Sequence, residues 1–320
     1  MSSSKSSATH DMHISAILGY ARASGLAGTR INDGFGAIWD ILRRRRVSGP
    51  VFFMQSSGFS NLFVLPLARA LIGRVVYYFH EPLPLNQKIK NDGFFKGLVM
   101  YCLQRNDTFW ASDVLVSGEH AQKMAQAAFA INEKKIRIAP LLLPPPERTD
   151  DNDRTAVRRV TYLGRIDQRR YLREFVALAD RLCTAGFVPT VLTGQPKALR
   201  RMVSDIPDNI EVVAVERFSE ARKAKILNET AILWNPKSVP IAQSGVTAEA
   251  VKFGCRVVLT PFDPQYHVLR EQGMVIELDE VLRTEHLSLD HQATETPIAE
   301  LFNHMHGDGA FSSAYKALLR

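Results

Sequence analysis

The chain is poor in cysteine. Three in 320 residues, Cys102, Cys183 and Cys255, are odd in number, far apart and without a C-x-x-C pair. That argues against a disulfide framework or a structural zinc site and fits a reducing compartment. Each reads as a small buried apolar residue. Long apolar runs are missing as well. The greasiest stretch, "NLFVLPLARALIGRVVYYF" at 61–79, is broken by Pro66, Arg69, Gly73 and Arg74. It falls short of the roughly 18 uninterrupted apolar residues that a bilayer span requires, and reads as a core helix followed by a core strand. The opening "MSSSKSSATHDMH" has no apolar segment of the secretory kind and is expected to be a disordered lead-in. There is no G-x-G-x-x-G, no G-x-x-x-x-G-K-[ST], no H-E-x-x-H and no G-x-S-x-G. A dehydrogenase-type dinucleotide fold, a P-loop, a zinc protease helix and a nucleophile elbow are therefore unsupported, and no protein-bound metal or cofactor is expected.

What is present is alternation. Short β-rich apolar runs fit strands at 14–18, 51–54, 75–79, 114–116 and 136–138, with helical patterns at 34–45, 61–72, 94–104 and 119–128 between them. The pattern restarts with strands at 160–163, 188–192, 210–213, 232–234, 257–259 and 274–277, and helices at 170–184, 197–204, 219–227, 245–253 and 265–271. Strand–helix alternation of this kind predicts parallel sheets covered on both faces. Between the two runs lies "PLLLPPPERTDDND", the best linker in the chain. The resulting expectation is an α/β chain of two facing Rossmann-like domains with a cleft between them. Its parts are a lead-in at 1–12, a first domain at 13–140, a linker at 141–157, a second domain at 158–296 and a helical tail at 297–320.

The charge is lopsided. Residues 1–150 hold 18 Lys and Arg against 11 Asp and Glu, which accounts for the whole net charge of +7. The densest point, Arg43–Arg46, suits either a helix C-terminus or an anionic partner. An anionic membrane surface fits. Nucleic acid is not expected, because the basic run lacks interleaved aromatics.

Three stretches place reactive residue types where parallel sheets bind ligands, past the carboxyl ends of strands. In "VTYLGRIDQRR" a strand ends at Leu163, Gly164 turns, and Arg165, Arg169 and Arg170 follow; forked guanidinium groups there can clamp a diphosphate, or remain solvated. In "QSGVTAEAVKFG", from Gln243, Ser244 can cap a helix whose next amides, on Gly245 and Val246, face outward at its positive end. Glu249 lies one turn further on, within reach of a ribose diol, or simply an exposed acid on a capped helix. In "YYFHEPLP" an apolar strand runs into His80 and Glu81, and Pro82 stops it; His80 is a candidate for substrate contact or a hydrogen-bonded turn histidine. A fourth stretch, Gly19 to Gly36, carries five glycines after the first strand, loose enough for backbone to approach a ligand.

Taken together and in this order, "FHEP", "ASDVLVSGEHAQKMA", "YLGRIDQRR", "ILWNPKS" and "SGVTAEAVKFGCRVVLT" resemble the glycosyltransferases of the two-Rossmann-domain GT-B type, most of all family 4; the resemblance is strongest over about residues 158–280 and looser in the first two stretches. The resemblance implies a retaining, nucleotide-sugar-dependent enzyme. It implies that Arg165 contacts the donor diphosphate, and that Arg170, where the family usually has lysine, supplies a second contact. Backbone after Ser244 at Gly245 and Val246 would donate to the diphosphate, Glu249 would hold the ribose as the second glutamate of an E-x7-E pair, and His80 would lie near the donor sugar. The chain departs from the family at Ile241, where the first glutamate of that pair would stand; Gln243 offers a neutral contact to the same sugar hydroxyls. The implied partners are a nucleotide-sugar donor and a glycan or lipid-linked acceptor, in surface polysaccharide or glycoconjugate synthesis. The implied location is the cytoplasm, at or near the inner membrane face. A non-catalytic nucleotide-sugar binder and a sugar-nucleotide epimerase are the competing readings.

Overall fold

The computed structural model describes residues 36–43, 50–53, 58–79, 81–139, 158–214, 220–241 and 244–283, with residues 300, 301, 305 and 318. The chain divides into two compact units, residues 1–143 with 304–320, and residues 144–303. The expected lead-in, linker, glycine-rich stretch and first strand lie outside the described residues, as does most of the tail.

The first unit is built on four parallel strands in the order β1 (Val51–Phe53), β2 (Val75–Tyr78), β3 (Asp113–Val116) and β4 (Ile136–Ile138). Every residue of β2 and β3 is buried, as apolar runs without alternation require when helices cover both faces. Among the described residues five helices accompany them: α1 (Gly36–Arg43), α2 (Asn61–Ile72), α3 (Leu85–Asp92), α4 (Phe94–Trp110) and α5 (Glu119–Phe129). Helix α3 was not expected. Its sequence, LNQKIKND, has no apolar stripe, and Lys88 is its only buried residue. Pro84 opens it with a ready-made extended φ, and Gly93, at φ 85°, turns the chain directly into α4. The two helices then pack so closely that a Cβ on Gly97 would come within 2.7 Å of the Ile89 backbone. Helix α4 also runs six residues past the expected end at residue 104. Polar Asp107 suggests a surface there, yet it is fully buried and accepts a 3.0 Å bond from Asn61 at the start of α2. Among the described residues no helix is long and apolar enough to cross a membrane.

The second unit is a six-stranded parallel sheet. Its strands are β5 (Arg159–Leu163), β6 (Val188–Thr193), β7 (Glu211–Ala214), β8 (Thr230–Trp234), β9 (Arg256–Leu259) and β10 (Val275–Glu277), in the spatial order β10-β9-β8-β5-β6-β7. This is the dinucleotide-fold order. The chain moves outward from β5 through β6 to β7, returns to β8 on the other side of β5, and continues outward. Its helices are α6 (Leu172–Ala177), α7 (Ala179–Thr184), α8 (Pro196–Met202), α9 (Glu220–Asn228), α10 (Gly245–Phe253), α11 (Tyr266–Glu271) and α12 (Leu278–Arg283). The single helix expected at 170–184 is broken: a 3-10 turn covers Gln168–Arg170, Tyr171 takes a left-handed conformation at φ 50°, and Leu178 separates α6 from α7. Helix α12 was missed because its six residues are too few to show a period. The core is aromatic where β5, α6 and β8 meet, with Phe175 between Tyr162 and Trp234 at centroid distances of 6.1 and 5.5 Å. At the opposite, amino-terminal end of β5, Arg159 pairs with Glu229, just before β8, at 2.7 Å and with Glu211 on β7, bracing the sheet away from the strand ends where ligands bind.

Candidate functional site

Strand order alone points to one place. The connection reverses between β5 and β8, and crevices at such a switch point, beyond the carboxyl ends of the strands, are where open parallel sheets hold ligands. The sequence puts polar and charged residues past the ends of β5, β8 and β9, and the fold gathers them there.

Strand β5 ends at Leu163. Gly164 follows at φ 99°, a region that favours glycine, while its amide still bonds Leu192 O on β6 at 2.8 Å. Arg165 comes next and is exposed, with no hydrogen bond or ion pair from its guanidinium to a described residue. The chain then folds back through the 3-10 turn. Asp167 caps that turn, accepting from the Arg169 amide at 3.0 Å and holding the Arg169 guanidinium at 2.5 Å. Burial would raise the Asp167 carboxyl, but these bonds and the positive neighbours hold it below its ordinary value.

The turn delivers Arg170 to the switch point itself. Its Nη1 donates to Leu163 O at 2.8 Å and Arg165 O at 3.1 Å, and its Nη2 to Trp234 O at 3.4 Å. The guanidinium thus joins the carboxyl ends of β5 and β8. It lies 4.5 Å above the Tyr162 ring, and its own carbonyl accepts from Trp234 Nε1. Arg170 is buried, and its Nε alone has no partner. A Cβ built on Gly164 would meet Arg170 Nη1 at 3.6 Å and Val246 Cγ2 at 3.8 Å, so the β5 turn, Arg170 and the start of α10 are in contact.

Helix α10 begins where the sequence placed it, at Gly245. Ser244 is extended, and its Oγ accepts from the Thr247 amide at 3.2 Å, which completes the cap. The amides of Gly245 and Val246 then stand at the positive helix end with no intrahelical acceptor. Buried beneath the cap is a network that the sequence reading missed. Asn235, the residue after β8, donates through Nδ2 to Ser244 Oγ and Thr247 Oγ1, both at 2.8 Å. Thr247 Oγ1 lies 2.8 Å from Asp263 Oδ2, in the turn after β9; its single proton goes to that carboxylate, the strongest acceptor in reach. Gln265 N donates to Asp263 Oδ1 at 3.0 Å. Burial pushes the Asp263 carboxyl up, and these donors together with Lys237 pull it back. Asn235, Lys237 and Asp263 did have one signal in the sequence: each follows a buried strand by only a few residues.

Glu249 sits in the second turn of α10. Its Oε1 is 2.8 Å from Lys223 Nζ on α9, both side chains being 15% exposed, and its Oε2 has no partner. The Lys223 pairing was not anticipated. Ile241 is anchored through its amide to Phe262 O at 3.3 Å. His80 and Gln243 lie outside the described residues. Of the sequence-derived site residues, Gly164, Arg165, Arg170, Ser244, Gly245, Val246 and Glu249 are therefore all in the second unit, in the turn after β5 and the first two turns of α10.

No family model matches this chain, and no curated protein does. Solved structures do. The fold is that of known glycosyltransferases. Anabaena Alr3699/HepE, solved with UDP and glucose, superposes with a TM-score of 0.71 at 10% identity, over 99% of this chain and 97% of that one. AviGT4, a glycosyltransferase of avilamycin A biosynthesis, gives 0.60 at 12% identity over 98% and 90%. WaaG, a glycosyltransferase of lipopolysaccharide biosynthesis, gives 0.55 at 14% identity over 89% and 94%. At such identities the likeness carries the fold, which is α/β with two parallel sheets and of the GT-B type.

Proposed function

We propose that the chain is a glycosyltransferase that moves a sugar from a nucleotide-sugar donor to a hydroxyl of a glycan acceptor, with retention at the transferred carbon. The observation that carries this reading is the switch point of the second unit. Arg165, whose guanidinium pairs with no described residue, the buried Arg170 and the free amides of a capped helix converge there, and a diphosphate is the ligand that such a set recognises. Negative charge grows on the leaving nucleoside diphosphate as the sugar departs. Preorganised cations and a helix N-terminus stabilise that charge more than they stabilise the bound donor, which lowers the barrier. Glu249 has one oxygen held by Lys223 and the other without a partner, which suits a fixed acceptor for ribose hydroxyls. In retention on this fold the departing phosphate can itself take the acceptor's proton, so Glu81 is not assigned as a base. His80 is proposed as a contact to the donor sugar, and Gln243 as the neutral substitute for the missing sugar-binding glutamate, both on the resemblance alone.

HepE binds UDP and UDP-glucose, and WaaG acts in lipopolysaccharide biosynthesis; by analogy with both, the donor is a nucleotide sugar and the product a surface polysaccharide or glycoconjugate. A lipid-linked acceptor and a peripheral position at the inner membrane face are proposed from the basic charge of residues 1–150. Transfer and donor hydrolysis after Arg165→Ala and after Glu249→Ala provide the test, and unchanged turnover in both variants would sink the assignment. Ile241 favours a second reading, a donor-binding relative without turnover. Nucleotide-sugar binding without transfer to any acceptor would select it.

A further inference from the structure

One charged side chain at the switch point is still without a role. Lys237 stands three residues beyond β8, and its backbone is fixed on both sides by one hydroxyl: its amide donates to Thr260 Oγ1 at 3.1 Å, and Thr260 Oγ1 donates to its carbonyl at 2.7 Å. The side chain is half-buried. Its ammonium makes no hydrogen bond or ion pair to a described residue. The groups that face it come from two elements. Arg170, Arg169 and Asp167 lie on the turn after β5, and Asp263 on the turn after β9. Asp167 and Arg169 neutralise each other, and Asp263 is already supplied with donors by Thr247 and Gln265. With Lys237 protonated, Arg165, Arg170 and Lys237 against Asp263 give the cluster an excess of about two positive charges, the charge of a nucleotide sugar's diphosphate with its sign reversed.

We propose that Lys237 is a further contact to the donor diphosphate, beside Arg165 and the amides of Gly245 and Val246, and that it takes a proton from solvent as that anion binds. The proposal rests on the nucleotide-sugar reading above. A half-buried cation with no partner beside a second cation is unfavourable until an anion arrives. Burial and the Arg170 charge draw the Lys237 pKa down to about 7, against the pull of Asp263 and Asp167. A bound diphosphate reverses that balance, so the group is half-charged near neutrality in the free protein and fully charged in the complex.

Calorimetry of the full chain with UDP-glucose, GDP-mannose, ADP-glucose and dTDP-glucose identifies a probe that binds. The phosphates of these probes keep their charge from about pH 6 to 9, so any proton taken up belongs to the protein. Affinity is expected to fall by up to about tenfold per pH unit above pH 7, and repetition in buffers of different ionisation enthalpy is expected to show proton uptake approaching one. Lys237→Met is expected to weaken the probe by about tenfold or more at low pH, to flatten the profile, and to leave binding of the bare nucleoside unchanged. A variant that binds the probe like wild type, a wild-type profile that is already flat, or equal losses for nucleoside and nucleotide sugar would overturn the proposal while leaving the donor reading intact. A wild-type chain that binds none of the four sugars overturns the donor reading and this proposal with it. The proton-uptake measurement needs no variant, so binding without uptake would overturn the proposal even if Lys237→Met does not fold.

Discussion

Arg170 offers the sharpest test of how this site is built, because the structure gives it a mechanical task apart from any ligand. Its guanidinium holds Leu163 O and Arg165 O at 2.8 and 3.1 Å and reaches Trp234 O at 3.4 Å, in a buried setting over the Tyr162 ring. Consider Arg170→Met, which keeps the apolar stem and removes the fork. Two good charge-assisted bonds at about 1.5–3 kcal/mol each give a gross loss of roughly 3–6 kcal/mol. Part of this is offset, since the protein no longer buries a cation. A net destabilisation of about 2–4 kcal/mol remains. For a unit of this size each kcal/mol lowers Tm by roughly 2–4 °C, so a fall of about 5–15 °C is expected. Arg170→Lys keeps the charge but can satisfy only part of the carbonyl set and should fall between. Circular dichroism melts of the three proteins without ligand measure this directly. A Met variant that melts like wild type would show that the carbonyl contacts contribute nothing net. If that variant also lost nucleotide-sugar binding, Arg170 would be a ligand contact and not a brace.

Two further outcomes follow from the same corner of the fold. Gly164→Ala meets no atom closer than 3.6 Å, so its cost is the φ of 99° alone, about 1–3 kcal/mol; a thermal midpoint within a degree of wild type would refute the strain. Lys237 gives a stability signature with a fixed sign. Its folded pKa lies near 7 and its ordinary value is 10.5, so between them the unfolded chain binds the extra proton, and wild-type stability must rise with pH relative to Lys237→Met. Urea midpoints of both proteins at about pH 7 and pH 9.5 test this, and a constant difference would count against a depressed lysine.

Much of the second unit was legible because its strands are apolar runs bounded by glycine or polar turns, a local property. Helix α10 came out from Gly245 to Phe253 because both of its ends carry their own signals, the Ser244 cap and Gly254 at φ 64°. The unexpected break at Tyr171 and Leu178 has no such marker. A left-handed tyrosine is held by what surrounds it: the 3-10 turn must bring Arg170 back over β5, and Leu172 and Phe175 must enter the core. Helix α3 fails on the opposite ground, since it has almost no buried face and its start and stop are set by Pro84 and Gly93.

The same division runs through the site. Arg165, Ser244 and Glu249 were legible because each stands beside a turn or cap that has its own sequence signature. Asn235, Thr247, Asp263 and Lys237 were not, because their meaning depends on three strands that lie next to each other only in the order β9-β8-β5. Asn235 and Asp263 are 28 residues apart in sequence, yet both bond the Thr247 hydroxyl. That network fixes the first turn of α10 from beneath, which leaves the Gly245 and Val246 amides above it free of structural duty. Arg170 does the equivalent for the turn after β5, where three carbonyls hold its fork, one of them from Arg165, whose own guanidinium pairs with no described residue. The candidate site thus combines buried groups that hold the strand ends in place with groups that carry no structural hydrogen bond to a described residue, and the proposed donor contacts rest on the second set. Lys237 is the residue whose backbone belongs to the first set and whose side chain belongs to the second.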